Sequence, residues 1–263
     1  MIFKRFFSRS SEDRLPRLPA GMRVYAVGDI HGRLDLLQDL LVQIDEDMAR
    51  NDQTRTIIVF LGDVVDRGPQ SREVIESLRR FDRSGVEPVF LLGNHEEVLL
   101  RILAGERNLV DGWLKYGGAE LLESYGVSAE SLRSMSGRRT IAAIREAIPL
   151  DHVRFLESFA DTLKIGDYLF VHAGIRPDVD LSLQLQSDLR WIRQPFLESD
   201  TDHGCVVVHG HTIEEEVIER PNRLGIDTGA YRTGVLTAAV LEGTSRRFLA
   251  TSGPASAGRR SID

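Results

Sequence analysis

Arg23-Val24-Tyr25-Ala26-Val27-Gly28-Asp29-Ile30-His31-Gly32-Arg33, running straight into LDLLQDLLVQIDEDM from Leu34 to Met48, is the stretch whose reading decides the fold. β-branched and aromatic residues from Arg23 to Val27 describe a buried strand, and Gly28 stops it. Beyond the loop, Leu36, Leu37, Leu40, Leu41 and Ile44 fall on one face at helical spacing. Strand, glycine-bounded loop and amphipathic helix then recur downstream. Thr56 to Leu61 (TIIVFL) is near-continuously apolar, as a strand buried on both faces requires, and Ser71 to Phe81 follows it as a helix. Pro88 to Leu92 and Glu96 to Leu103 repeat the pairing. Such alternation predicts an α/β fold with ligand-bearing loops at the carboxyl ends of parallel strands.

Further along, from Asn108 to about Lys164, the strand signal vanishes and short helical and turn patterns replace it, which predicts a small helical insertion at about 108–164. Four strand-like runs follow: Tyr168 to Val171, Cys205 to Val208, Leu224 to Asp227 and Val235 to Leu241. They are expected to form a second, mixed sheet, giving one domain over 21–250 with two packed sheets and outer helices. Residues 1–20 and 251–263 are expected to be flexible tails. The opening MIFKRFFSRS has no apolar run long enough for a signal peptide or membrane span. Its Phe3, Phe6 and Phe7 are read as packing locally, in preference to docking on a membrane surface or a partner.

A hydrophobic content of 42% and a charged content of 28% are ordinary for a globular chain. The formal net charge of −7 argues against binding duplex nucleic acid by broad phosphate neutralisation, but bound cations would admit a small anionic substrate. With Cys205 the only cysteine, no internal disulfide can form, and a cytoplasmic location is expected.

Chemistry-bearing residues cluster in five short runs: Gly28-Asp29-Ile30-His31-Gly32, Gly62-Asp63-Val64-Val65-Asp66-Arg67-Gly68, Gly93-Asn94-His95-Glu96, Val171-His172-Ala173-Gly174 and His209-Gly210-His211-Thr212. Aspartates, an asparagine amide oxygen and imidazoles suit a pair of divalent metals sharing one carboxylate. In extended backbone, Asp29 and His31 would project to one side and serve one metal. Asp63 is the natural bridging carboxylate, and Asn94, His172 and His211 would complete the second metal. A lone Asp-x-His is more often a turn, but the whole ordered series is not a chance arrangement. Such a site generates hydroxide near neutral pH and directs it at a phosphorus centre.

The series GDIHG, GDVVDRG, GNHE, VHAG and GHT resembles the metallophosphoesterase superfamily, and within it the phosphoprotein phosphatase branch, especially its bacterial and phage-type members. The resemblance runs from about Arg23 to Gly243. It implies a β-sandwich flanked by helices and two divalent ions, manganese first, with iron or zinc as alternatives. Where many superfamily members carry a second histidine, this chain has Ile213, so His211 is assigned to the metal and His209 to its surroundings. The resemblance also implies that His95 protonates the leaving oxygen while Asp66 orients it. Arg67 and Arg193 are the expected phosphate clamp, with Arg190 as runner-up for Arg193 and Asp188 as an alternative partner for it. Direct attack of metal-bound hydroxide on phosphorus is implied, with no phosphoenzyme. Cys205 lies in a strand-like run without the Cys-x5-Arg loop of cysteine phosphatases and reads as core.

Among substrates, phosphoserine or phosphothreonine proteins and other small phosphoesters compete with diadenosine tetraphosphate. Hydrolases of the latter typically carry alanine where this chain has Asp66, and Gly-Asn-His-Asp where it has Glu96. Both features lean towards a serine/threonine protein phosphatase. A silent phosphopartner-binding module would require a lost ligand, and none is lost. A nuclease would want the absent second histidine and a basic stripe.

Overall fold

The computed structural model describes residues 15–50, 55–133, 135 and 137–252. Three strand–helix pairs open the fold: β1 (Met22–Val27) with α1 (Leu34–Met48), β2 (Arg55–Phe60) with α2 (Ser71–Arg79), and β3 (Val86–Phe90) with α3 (Asn94–Ala104). β1 pairs parallel with β2 and β2 with β3, as the helical crossovers between them allow. Side chains in β1 alternate between two cores. Val24 and Ala26 face the interior of the sandwich, whereas Tyr25 and Val27 pack beneath the helices with Leu36, Leu37, Leu40, Leu41 and Ile44 of α1. That period of two explains why the run is apolar throughout: neither face meets water.

Next comes a wholly helical stretch: α4 (Val110–Trp113), a widened turn over Leu114–Gly118, α5 (Ala119–Ser124), α6 (Ala129–Arg133), α7 (Gly137–Ala147) and α8 (Leu150–Glu157). Strands resume with β4 (Thr162–Ile165) and β5 (Tyr168–Val171), then α9 (Gln186–Trp191), β6 (Val206–His209), β7 (Ile218–Glu219), β8 (Arg223–Gly225), α10 (Ala230–Thr233), β9 (Thr237–Glu242) and β10 (Ser245–Ala250). The sheets run β10-β9-β1-β2-β3 and β4-β5-β6-β8-β7. Both are mixed. Tyr168, Phe170, Val206, Val208, Leu224 and Ile226 of the second sheet close on Val24, Ala26, Ile57, Val59 and Leu61 of the first.

This is the expected two-sheet, helix-flanked α/β architecture, with one strand reassigned. The run from Val235 to Leu241 does not join the second sheet: β9 lies antiparallel on β1, with Tyr25 opposite Val240 and Ala26 opposite Ala239. A run buried on both faces announces a strand but not its partner, and here the turn at α10, bounded by left-handed Gly229 and Gly234, carries the chain back to the first sheet. β4 begins inside the segment expected to be helical, where Leu163 and Ile165 alternate with outward residues. Leu18, placed by sequence in the N-terminal tail, is buried among the inter-sheet residues, and its N–H donates to the Gly243 carbonyl at 2.9 Å. Phe3, Phe6, Phe7 and residues 253–263 lie outside the described residues. No helix among the described residues is long and apolar enough to cross a membrane.

Candidate dinuclear metal site

Loops leaving the carboxyl ends of β1, β2, β3, β5 and β6 meet at one end of the sandwich. Among the described residues, five of the six non-glycine positions with positive φ sit there: His31 (46°), Asp63 (47°), Asp66 (69°), Arg67 (67°) and His211 (63°). Each such conformation costs about 1–3 kcal/mol and persists only where its surroundings enforce it. His31 is therefore not extended, and the expectation that it shares a side with Asp29 through strand-like backbone is corrected. The chain turns because the N–H groups of Ile30 and His31 both donate to the Asp63 carbonyl, at 3.1 and 2.9 Å.

Asp63 lies at the centre. Its Oδ2 faces His31 Nε2 at 3.6 Å and His95 Nε2 at 3.9 Å, and its Oδ1 faces His172 Nε2 at 3.5 Å. Two ligand groups thus share this carboxylate: His31, Asp63 and His95, and Asp63, His172 and His211. Asn94 Oδ1 sits 2.9 Å from both His172 Nε2 and His211 Nδ1, which brings it into the second group. Asp29 belongs to neither. Its carboxylate instead accepts the His211 N–H at 3.1 and 3.3 Å.

Backbone carbonyls orient the imidazoles. His31 Nδ1 donates to Val65 O and His172 Nδ1 to Leu61 O, each at 2.8 Å, which leaves Nε2 with its lone pair turned inward. Burial pushes His31 and His211 down to about 3 and lowers His172 as well, so all three rings are neutral. The His172 lone pair then points at the Asn94 carbonyl oxygen, acceptor against acceptor, an arrangement that a cation would reconcile. Buried carboxylates add to the demand. Burial, with Asp227 and Asp63 close by, pushes Asp29 well up, and burial raises Asp227 to about 6. The residues present fit two divalent metal ions.

Glu96 holds the central loop in place. One of its oxygens accepts the N–H groups of Asp63 (2.8 Å) and Gly93 (3.0 Å), the other those of Val64 (2.8 Å) and Val65 (3.2 Å). Burial and the Asp63 charge push this carboxyl upward. With two N–H donors on each oxygen, the carboxylate is the form the loop holds.

Beside the metal groups, His95 Nδ1 and Asp66 Oδ2 are 2.7 Å apart, both buried. Burial works against protonating His95, but Asp63 and Asp66 outweigh it and push the imidazole up to about 9. The guanidinium of Arg67 lies 3.2 Å from His95 Nε2, donates to Tyr231 OH at 2.6 Å and sits 4.7 Å above the Tyr231 ring centre. Two cationic groups facing one another mark a place for an anion. Arg193 is exposed on the wall of the same cleft, which has a volume of about 740 Å³ and is also lined by Val98, Leu109, Trp113, Tyr116 and Trp191. Asp188 pairs with Arg176 at 2.7 Å and not with Arg193, while Arg190 is engaged by Asp161 and Glu97. His209 is buried behind the site against Phe196, and Cys205 is buried just before β6, where burial raises its thiol.

The sequence profile of the calcineurin-like phosphoesterase family matches residues 22–229. This chain belongs to that family. It is 30% identical to the symmetrical bis(5'-nucleosyl)-tetraphosphatase of Janthinobacterium sp. (strain Marseille), over 82% of this chain and 92% of that one. It is also 30% identical to serine/threonine-protein phosphatase 1 of Salmonella typhimurium, over 83% and 92% of the two chains. The crystal structure of a candidate diadenosine tetraphosphatase shares the fold with a TM-score of 0.62 at 21% identity, covering 90% of this chain and 98% of that one.

Three residues of this calcineurin-like phosphoesterase carry no strong signal in the sequence, and a fourth, Glu96, sits in a motif without its structural role being read from it. Trp113 and Tyr231 come from the helical stretch and from α10, far from any motif. Asp227 lies in an apolar strand end. Glu96 could have been foreseen in its structural role, because a glutamate three residues after Gly93 is the reach-back element of a helix capping box.

Proposed function

We propose that this phosphoesterase hydrolyses phosphomonoesters, with phosphoserine and phosphothreonine proteins as its substrate class. The Asp66–His95 pair carries this reading. An aliphatic alkoxide is a poor leaving group and must be protonated as the P–O bond breaks, whereas a nucleotide phosphate departs without that help. A buried carboxylate 2.7 Å from His95 Nδ1, which favours the charged ring, together with a ring that lines the cleft, suits the first task.

Asp63, Asn94, His172 and His211 would hold one divalent ion, and His31 and Asp63 the other, with Asp29, outside both tight groups, as the further carboxylate that the family's motif assigns to that ion. Manganese is the first choice for the oxygen donors, with iron or zinc the alternatives for the imidazoles. When bound, such ions lower the pKa of water and offset charge on the phosphoryl group. Arg67 binds the phosphoryl oxygens, held by Tyr231, and Arg193, which lines the same cleft, joins it. His95 delivers its Nε2 proton to the departing oxygen, and Asp66 fixes the ring. In this reading water attacks phosphorus directly, and the chain's one cysteine, a buried core residue, offers no thiol to the cleft. One buried thiol also suits a reducing compartment such as the cytoplasm.

Hydrolysis of diadenosine tetraphosphate is the second reading. It is favoured by the similarity to the Janthinobacterium enzyme and by a cleft far larger than one phosphate, with Tyr116 70% and Trp191 43% exposed along it. The deciding experiment compares Mn²⁺-loaded protein on a phosphothreonine peptide and on diadenosine tetraphosphate, with His95→Ala as control. A tenfold faster turnover of the peptide, about 1.4 kcal/mol in barrier, is expected. The reverse preference moves the chain to the dinucleotide reading.

A further inference from the structure

Asp66 has a second partner that the motifs do not contain. Trp113, 4% exposed at the end of α4, places its indole Nε1 3.0 and 3.2 Å from the two Asp66 oxygens. The same carboxylate meets His95 Nδ1 at 2.7 Å, and Ser71 Oγ receives the Asp66 N–H at 3.0 Å. The indole itself has little freedom. A Cβ added to Gly118 would lie 2.2 Å from Trp113 Cε2, so the ring rests directly on that glycine. One residue earlier, Gly117 accepts the Arg67 N–H at 3.1 Å, and a Cβ there would lie 2.4 Å from Arg67 N. Trp113, Gly117 and Gly118 therefore form one block against both Asp66 and Arg67.

We infer that Trp113 is a positioning residue for proton delivery: its indole N–H fixes the Asp66 carboxylate, and through it the His95 ring that faces the leaving oxygen. The inference rests on the proposed role of His95. A phenylalanine would keep an aromatic ring in the hydrophobic cluster that Trp113 shares with Leu121 and Ile141, so apolar packing alone does not call for the N–H. Without it, the Asp66 side chain is free to turn about its last torsion, and the 2.7 Å contact with His95 loses its backing. The consequence falls on substrates that need a proton and spares those that do not.

Trp113→Phe in the full, Mn²⁺-loaded chain tests this on two substrates. Turnover of a phosphothreonine peptide is expected to fall about tenfold or more, in the range typical for loss of an outer hydrogen-bond partner. Turnover of p-nitrophenyl phosphate, whose leaving group departs unprotonated, is expected to stay within about twofold, with KM unchanged for both. Taking the ratio of the two rates on one preparation cancels any loss of folded protein. Trp113→His, which restores a ring N–H, is expected to recover part of that ratio. In the Asp66→Asn background, Trp113→Phe is expected to add nothing. Equal loss on both substrates, no loss, or full additivity with Asp66→Asn overturns the inference. If Asp66→Asn discriminates between the substrates and Trp113→Phe does not, the inference alone falls. If Asp66→Asn does not discriminate either, the acid reading falls with it.

Discussion

Replacing Glu96 by glutamine keeps the shape of the side chain and changes one oxygen into an NH₂ group. Because each Glu96 oxygen accepts two backbone N–H groups, two of the four donors from Asp63, Val64, Val65 and Gly93 would then face another donor. An unsatisfied buried donor costs about 1–3 kcal/mol, so the substitution is expected to destabilise the fold by about 2–6 kcal/mol. Set against a total stability of about 5–15 kcal/mol, that is severe. At about 2–4 °C per kcal/mol for a chain of this size, the midpoint of thermal unfolding should drop by about 4–24 °C. The perturbation also reaches the site. Asp63 adopts a φ of 47° in the loop that Glu96 clamps, and both ligand groups share its carboxylate. Mn²⁺ affinity should therefore weaken together with stability. Calorimetry with and without Mn²⁺ measures both. A midpoint within about 2 °C of the wild-type value, with unchanged Mn²⁺ affinity, would refute the cradle argument.

Metal loading should stabilise the fold in its own right: Mn²⁺ at about a hundredfold its dissociation constant adds about 2.7 kcal/mol, read as a rise in unfolding midpoint that EDTA reverses. Asp63→Asn should abolish that rise. On the far side of the first sheet, Asp47 accepts from Tyr25 OH at 2.6 Å and pairs with Arg247. Although burial alone would raise its carboxyl, Arg247, Tyr25 and Arg23 hold it below the ordinary carboxylate range. A depressed folded value means that its contribution is present above about pH 4 and lost as pH falls through the lower folded value. Asp47→Asn should therefore lower stability near neutrality and flatten its dependence on pH below about 4, as followed by unfolding midpoints across an acid series. Gly117→Ala, at φ 118° and with its Cβ 2.4 Å from Arg67 N, should displace Arg67 and raise KM for any phosphoester.

Legibility in the sequence followed the range of the interactions. α1 was readable to the residue, because Leu36, Leu37, Leu40, Leu41 and Ile44 are placed by local periodicity and all end buried. The metal-type loops were readable because their glycines and ligands lie within a few residues of each other. What stayed hidden was pairing at a distance. Val240 opposite Tyr25 is a contact across more than two hundred residues, and an apolar run cannot announce which sheet will take it. Trp113 reached Asp66, and Tyr231 reached Arg67, from elements whose own patterns look like core and surface. The extended form expected for Asp29-Ile30-His31 fails for a local reason. Two N–H groups competing for the Asp63 carbonyl bend that loop out of the extended form, and alternation no longer predicts direction.

The account turns on Asp63 being shared between two metal ions, and titration calorimetry of Mn²⁺ into metal-stripped protein tests that most directly. Two ions per chain are predicted for the wild type, with both sites weakened together in Asp63→Asn, because Asp63 belongs to both ligand groups. A stoichiometry of one, or an Asp63→Asn variant that still binds one ion with wild-type affinity, would contradict it.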